Sequence, residues 1–181
     1  MSRQYFSDFP NEPLGVANAA VTPGTSLTAL FGNTSQIAIP AADVRPGKVW
    51  RLSAGGIYTS PGSTTTLVVT PFWGTTTGGV SLGASIAITL VTSVSAQAWW
   101  LQGLLMCRAV GLAGAFSTFI AQGEFMGQGV AGTASSGVQI SFGGTQSAVC
   151  DPAAGGFQIG LTPNVTGSSF TPQIVLLQSL N

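Results

Sequence analysis

From about Ser35 onward the chain is a succession of short apolar runs rich in Val, Ile, Thr, Trp and Phe. Clusters of Gly, Pro, Ser and Asn break these runs at intervals of roughly 8 to 12 residues, the spacing of a sandwich or barrel. Runs that read as strands cover residues 36–40, 49–59, 65–73, 84–92, 97–110, 116–125, 137–142, 157–162 and 173–180. In residues 49–59, Trp50, Leu52, Ala54 and Tyr58 fall on one face at period two. In residues 65–73, Leu67, Val69 and Trp73 oppose Thr66, Val68, Thr70 and Phe72, so both faces are expected to be at least partly covered. Residues 97–110 set Trp99, Leu101, Leu105 and Cys107 against Trp100, Leu104, Met106 and Arg108, which predicts the central strand of the core. No stretch keeps a helical period behind a capped start; only residues 94–101 and 41–44 have room for a helical turn.

The pattern predicts an all-β protein, an antiparallel β-sandwich over residues 26–181 with a jelly roll as the expected topology. An immunoglobulin-like sandwich is the second choice, because Cys107 has no preceding cysteine with a Trp between them. Gly32-Asn33, Gly78-Gly79, Gly143-Gly144 and Gly155-Gly156 read as turns. Residues 1–25 differ from the rest: they hold Pro10, Pro13 and Pro23 with little periodicity, yet carry Tyr5, Phe6, Phe9 and Leu14. That combination predicts an extended amino-terminal arm whose aromatic residues Tyr5, Phe6 and Phe9 anchor on a neighbouring subunit.

Composition changes the picture most through charge. Charged residues make up 6% of the 181, with five basic, five acidic and no histidine, against about 25% in an ordinary soluble domain. A free-standing domain keeps its surface wet with interspersed charges, so this chain is expected to cover much of its outside with other protein. A zero formal net charge without a basic stripe argues against nucleic acid as a partner. The most apolar stretches, residues 86–94 and 98–107, fall short of the roughly 18 residues of a spanning helix, which argues against a membrane. Met1 to Asp8 shows no basic region followed by an apolar one, so synthesis in a cytoplasm is expected.

Candidate chemistry is sparse. The absence of histidine removes Ser-His-Asp and Cys-His triads, and no enzyme activity is expected. Asp8, Glu12, Asp43, Glu124 and Asp151 are scattered, so a carboxylate pair requires Glu124 to meet Asp43 or Asp151 through the fold. Cys107 and Cys150 lack the partners for a four-ligand zinc site, no cofactor is expected, and a bridge between the two is the less favoured state in a reducing compartment. No glycine cluster has the form of a phosphate-binding loop, and Asn33-Thr34-Ser35 and Asn164-Val165-Thr166 match the glycosylation pattern as chance in a Ser-rich and Thr-rich chain. Asp43, Arg45, Lys48 and Arg51 concentrate charge around a Val44-Arg45-Pro46-Gly47 turn, either as a solvated turn or as an edge docking on a partner. Arg108, a cation on a mostly apolar strand, is expected to have a partner, and Glu124 on the next strand is one candidate. Tyr58, Trp73, Trp99 and Trp100 read as core or interface residues in preference to a sugar platform.

Several local patterns resemble those of small β-rich structural proteins of tailed bacteriophages, especially phages of actinobacteria. They are Ile39-Pro40-Ala41-Ala42-Asp43, Gly47-Lys48-Val49-Trp50-Arg51-Leu52, Thr70-Pro71-Phe72-Trp73-Gly74-Thr75-Thr76, Ser81-Leu82-Gly83-Ala84-Ser85, Trp100-Leu101-Gln102-Gly103-Leu104 running on to Arg108, and Gly123-Glu124-Phe125. The resemblance spans roughly residues 36–181 and implies a virion component with a jelly-roll or related sandwich fold. It further implies a homo-oligomer, a trimer, on the capsid exterior beside the major capsid protein, or else a place in the tail with recognition of a host surface glycan. It brings no catalytic residues. The partner-binding candidates are accordingly Tyr5, Phe6 and Phe9 of the arm and Arg45, Lys48 and Arg51 of the body.

Overall fold

The computed structural model describes residues 20–31, 37–39, 43–74, 79–110, 117–128, 138–144, 148–150 and 156–180. Its strands are β1 (Thr28–Ala29), β2 (Ile37–Ala38), β3 (Val49–Thr59), β4 (Thr66–Trp73), β5 (Val80–Ser81), β6 (Ile88–Thr89), β7 (Gln97–Ala109), β8 (Ser117–Gly127), β9 (Val138–Gly143), β10 (Ala148–Cys150), β11 (Gly156–Pro163) and β12 (Ser169–Ser179). They form two antiparallel sheets. A long-stranded sheet runs β10-β8-β7-β3-β12 with β9 also on β8, and a shorter one runs β1-β11-β4-β5 with β2 also on β11 and β6 also on β4. The protein is therefore all-β, with the two sheets packed as a sandwich. β3 with β4 and β11 with β12 each give one strand to each sheet and pair with one another, β12 on β3 and β11 on β4. This pairing of two ribbons across both sheets is consistent with a jelly roll.

The sheets are joined by aromatic side chains at the alternate positions picked out by the sequence. Trp50, Leu52, Ala54 and Tyr58 of β3 are buried, as are Trp99, Leu101, Leu105 and Cys107 of β7. Trp73 of the short sheet stacks on Phe119 of the long one with ring centroids 4.4 Å apart, and Phe125 meets both Trp99 and Phe170. β4 is buried on both faces from Val69 to Trp73, as its mixed pattern implied. Polar groups inside are placed on the backbone: the Tyr58 hydroxyl donates to the Gln128 carbonyl at 2.8 Å and Trp99 Nε1 to the Ile57 carbonyl at 3.1 Å.

One expectation is corrected. The alternating run 84–92 does not form one strand; only Ile88–Thr89 pair with β4, and Ile86 is 80% exposed. Pro71 of β4 has no N–H to offer, and the facing chain attaches through single bonds, Leu82 to the Pro71 carbonyl and Ser85 to the Val69 carbonyl, both at 2.8 Å. Ser85 Oγ then accepts the Val69 N–H, so a side chain takes the place of a ladder bond. The stretch 94–101, which had room for a helical turn, is extended from Gln97 onward as part of the predicted strand 97–110, and is entered through a turn with Ser93 and Ala96 at positive φ. The short strands β1, β5 and β10 fall outside every predicted run. Gly32-Asn33, Gly78 and Gly155 of the predicted turns lie outside the described residues, as does most of the predicted arm.

The alternation makes neighbouring residues unequal, which gives the first prediction. Phe125→Ala, which empties a site between Trp99 and Phe170, is expected to cost about 3–5 kcal/mol of unfolding free energy. Met126→Ala, one step along and outward, is expected to stay within about 1 kcal/mol. Denaturant titration of the two variants checks the difference.

Candidate interaction surface

Burial of one side of the long sheet turns the other side outward, and the register of its strands fixes what lies together there. From β12 across β3 and β7 to β8, three successive rows read Ile174, Gly55, Trp100, Met126; then Leu176, Ser53, Gln102, Glu124; then Gln178, Arg51, Leu104, Gln122. The next row brings Val49 to Met106 and Met106 to Ile120, with the Leu180 N–H bonded to the Val49 carbonyl at 2.9 Å. Of the nine large hydrophobic residues exposed among those described, six lie on this face: Leu104, Met106, Met126, Ile174, Leu176 and Leu180. Ile174 is 59% and Leu104 46% exposed. Gly55 leaves room for the half-buried Trp100, whose ring would stand 2.8 Å from a Cβ at that position. Apolar side chains gathered on one sheet face, on a chain with few charges to offset them, mark a surface suited to protein contact.

The middle of the face is polar and concave. A groove of 780 Å³ is lined by Arg51, Gln102, Leu104, Gln122, Glu124 and Ser141 over the backbone of Gly103 and Gly123. The Phe142 ring supports this floor from inside: it packs 3.4 Å from where a Cβ of Gly103 would stand, and a Cβ at Gly123 would collide with the ring and with the Gln102 carbonyl. Glutamine, serine, arginine and carboxylate side chains around a shallow floor offer donors and acceptors to a polar neutral group.

One end of the same sheet gathers the cations. Arg45-Pro46-Gly47-Lys48 closes a turn with the Lys48 N–H on the Arg45 carbonyl at 3.0 Å, Pro at the second position and Gly47 at φ 80° at the third, the form of a type II turn. The turn is tied to β7 by Gly47 N–H to the Cys107 carbonyl at 2.8 Å and Cys107 N–H to the Lys48 carbonyl at 2.9 Å. Arg108 follows Cys107 and so stands beside Arg45 and Lys48, with Arg51 further along β3. Four of the chain's five basic residues thus collect at the β7 and β12 carboxyl ends of the long sheet. The candidate partner Glu124 is not at Arg108: it faces Gln102 in register, six residues back along β7, or about 20 Å at strand spacing. Glu124 makes an interaction of its own within the fold.

Of the residues predicted to bind partners, Arg45, Lys48 and Arg51 are brought together, and Tyr5, Phe6 and Phe9 lie outside the described residues. Sequence reasoning missed Arg108 as a member of the cationic end, and the outward residues Met126, Ile174 and Leu176. The available signal was a strand apolar on both sides, as in Leu104-Leu105-Met106-Cys107. Trp73, Trp99 and Tyr58 are buried and present no sugar platform, leaving Trp100 as the half-exposed indole among them. Asn164 of the second glycosylation match accepts the Thr66 N–H on its side-chain oxygen at 2.7 Å. Asp151 lies outside the described residues, among which no group of three or more His, Cys, Asp or Glu could hold a metal ion. Among them, too, no helix is long and apolar enough to cross a membrane. The chain matches no protein-family model, no curated protein and no solved structure.

Cys107 is a free, buried thiol whose Sγ lies 3.5 Å from the Ala109 carbonyl. Burial pushes its pKa up, as it does that of Tyr58. Both groups therefore ionise in the unfolded chain at lower pH than in the folded one. The folded state holds the extra proton between the two values, so stability is complete below the ordinary pKa values of 9.0 and 10.0 and falls as the pH rises beyond them. Unfolding free energies measured from pH 7 to 10.5 are expected to show this decline, and Cys107→Ala is expected to remove its lower-pH part.

Proposed function

We propose that this chain is a virion structural protein of a tailed bacteriophage, a decoration protein that assembles as a trimer on the capsid exterior, contacts the major capsid protein and stabilises the shell. The observation that carries the reading is the outward face of the long sheet, where six of the nine large hydrophobic residues exposed among those described collect, on a chain that is only 6% charged. Such a face favours the assembled state by removing apolar area from water, at about 25 cal/mol per Å². The reading needs no catalytic group and no cofactor. The chain is made in the host cytoplasm and joins the particle there, with Tyr5, Phe6 and Phe9 as aromatic anchors and Arg45, Lys48 and Arg51 on the docking side.

A second reading, a minor tail or receptor-binding protein that recognises a host surface glycan, is favoured by one observation. The groove on the same face carries Arg51, Gln102, Gln122, Glu124 and Ser141, side chains that bond hydroxyl groups in both directions. Cryo-electron microscopy of purified virions distinguishes the two. Many copies at threefold positions of the shell support decoration, a few copies on the tail support host recognition, and absence from the particle overturns both.

A surface substitution separates assembly from folding. Leu104→Glu with Ile174→Glu is expected to leave the unfolding free energy within about 1 kcal/mol, since both side chains face out. Sedimentation velocity of the same double variant is expected to show monomer under conditions where the parent associates.

A further inference from the structure

The cations at the end of the long sheet are left uncompensated. Arg45, Arg51 and Arg108 are exposed and Lys48 is half-buried, and among the described residues none of the four side chains forms an ion pair. Asp43 stands two residues before Arg45, and among the described residues it too is in no ion pair. Like charges gathered at one corner repel one another, and an opposing charge brought from outside relieves that repulsion.

Between these cations the sheet is apolar. On the outward face Arg51 lies in one row with Leu104 and Val49 in the next with Met106, and Arg108 follows at the bulge after Cys107. Leu104 is 46% and Met106 36% exposed. Arg51 and Arg108 thus bound an apolar strip about 13 Å long at strand spacing. A segment lying extended along this strip turns every second side chain towards it, and three such side chains span the same length. An acidic side chain at each end with an apolar one in the middle therefore matches the strip.

The composition of the strip favours protein as the occupant. Three of the four cations are arginines, whose planar forks hold a carboxylate through two bonds. Arg and Met are also enriched at protein interfaces, where Lys is depleted. A phosphate polymer is held by a longer basic stripe on a positively charged domain, whereas this chain has zero net charge. A lipid surface is met by apolar side chains that enter the acyl layer, and here Leu104 is flanked by Gln102 and Gln122 of the polar groove on the same sheet.

We propose that the strip from Arg51 to Arg108 docks an acidic, extended segment of a partner protein. One carboxylate of that segment meets Arg51, an apolar side chain covers Leu104 and Met106, and a second carboxylate is held by Arg108 with Lys48 and Arg45. This docking rests on the reading of the outward face as one covered by protein, and it specifies the chemistry of the partner at that corner.

Amide NMR shifts of the isolated full chain, titrated with a capped peptide of three Glu-Ser-Leu-Ser repeats, test it. The peptide is expected to move the amides of Arg51, Leu104, Met106 and Arg108, and to bind about tenfold more tightly than the same peptide with Gln in place of Glu. Its affinity is expected to fall as salt is raised. Arg51→Gln with Arg108→Gln is expected to erase the difference between the two peptides, and the comparison on the unaltered chain keeps the test available if that variant fails to fold. Equal binding of the two peptides, or shifts confined to other residues, overturns the proposal. Tighter binding of tripolyphosphate or of phosphatidylglycerol vesicles than of the Glu peptide also overturns it, because the corner then serves a phosphate-bearing ligand. The virion reading is tested separately by locating the chain in the particle, since peptide binding by the isolated chain does not depend on the particle.

Discussion

A β-strand shows alternate side chains to opposite faces, and β7 is apolar on both. That constraint organises the molecule. Trp99, Leu101, Leu105 and Cys107 are drawn between the sheets, and the same pleat obliges Trp100, Leu104 and Met106 to point away from them. β3 and β8 flank β7 over nearly its whole length, and β12 repeats the arrangement with Val175 and Leu177 inside and Ile174 and Leu176 outside. Slipping any of these strands by one residue would exchange the two faces. The inner face resists that slip because it holds the large aromatic side chains, which bury far more area than the outer leucines and methionines.

The outward face is therefore a consequence of how the core is built, and its mixed character bears on function. Apolar residues occupy its two ends, a polar groove lies between them, and the cations are confined to the corner where the Arg45 to Lys48 turn is tied to Cys107. A surface of this kind selects a partner in two ways. Its apolar area supplies affinity, while the placed charges and amides fix orientation and exclude mismatched partners. With ten charged residues in the whole chain, the confinement of four basic ones to a single corner gives that corner a distinct electrostatic identity.

Much of the architecture was legible in the sequence because it rests on period-two patterning. The faces of β3 and β7 follow directly from Trp50, Leu52, Ala54 and Tyr58 and from Trp99, Leu101, Leu105 and Cys107. Residues 84–92 misled because Ile86, Ile88 and Leu90 alternate as a strand would, while on the facing strand the Val69 N–H goes to Ser85 Oγ in place of a ladder bond. β1, β5 and β10 are two or three residues long and are held by their neighbours' backbones instead of by a pattern of their own. The candidate surface was harder to read. Arg108 belongs beside Lys48 only through the register of β3 with β7, a relation between segments about sixty residues apart that no local motif encodes. Likewise Ile174 and Leu176 look like core residues until the bulge after Pro172 settles which side of β12 faces inward.

The central claim is that the outward face of the long sheet is covered by protein in the assembled state. Met106 and Met126 are built-in reporters, since both thioether side chains are exposed on that face and peroxide oxidises accessible methionines. The most direct measurement is the oxidation of these two residues, followed by peptide mass spectrometry, in dilute isolated chain and in the assembled particle. The account predicts ready oxidation of both in the isolated chain and protection of both on assembly. Equal oxidation in the two states would contradict it.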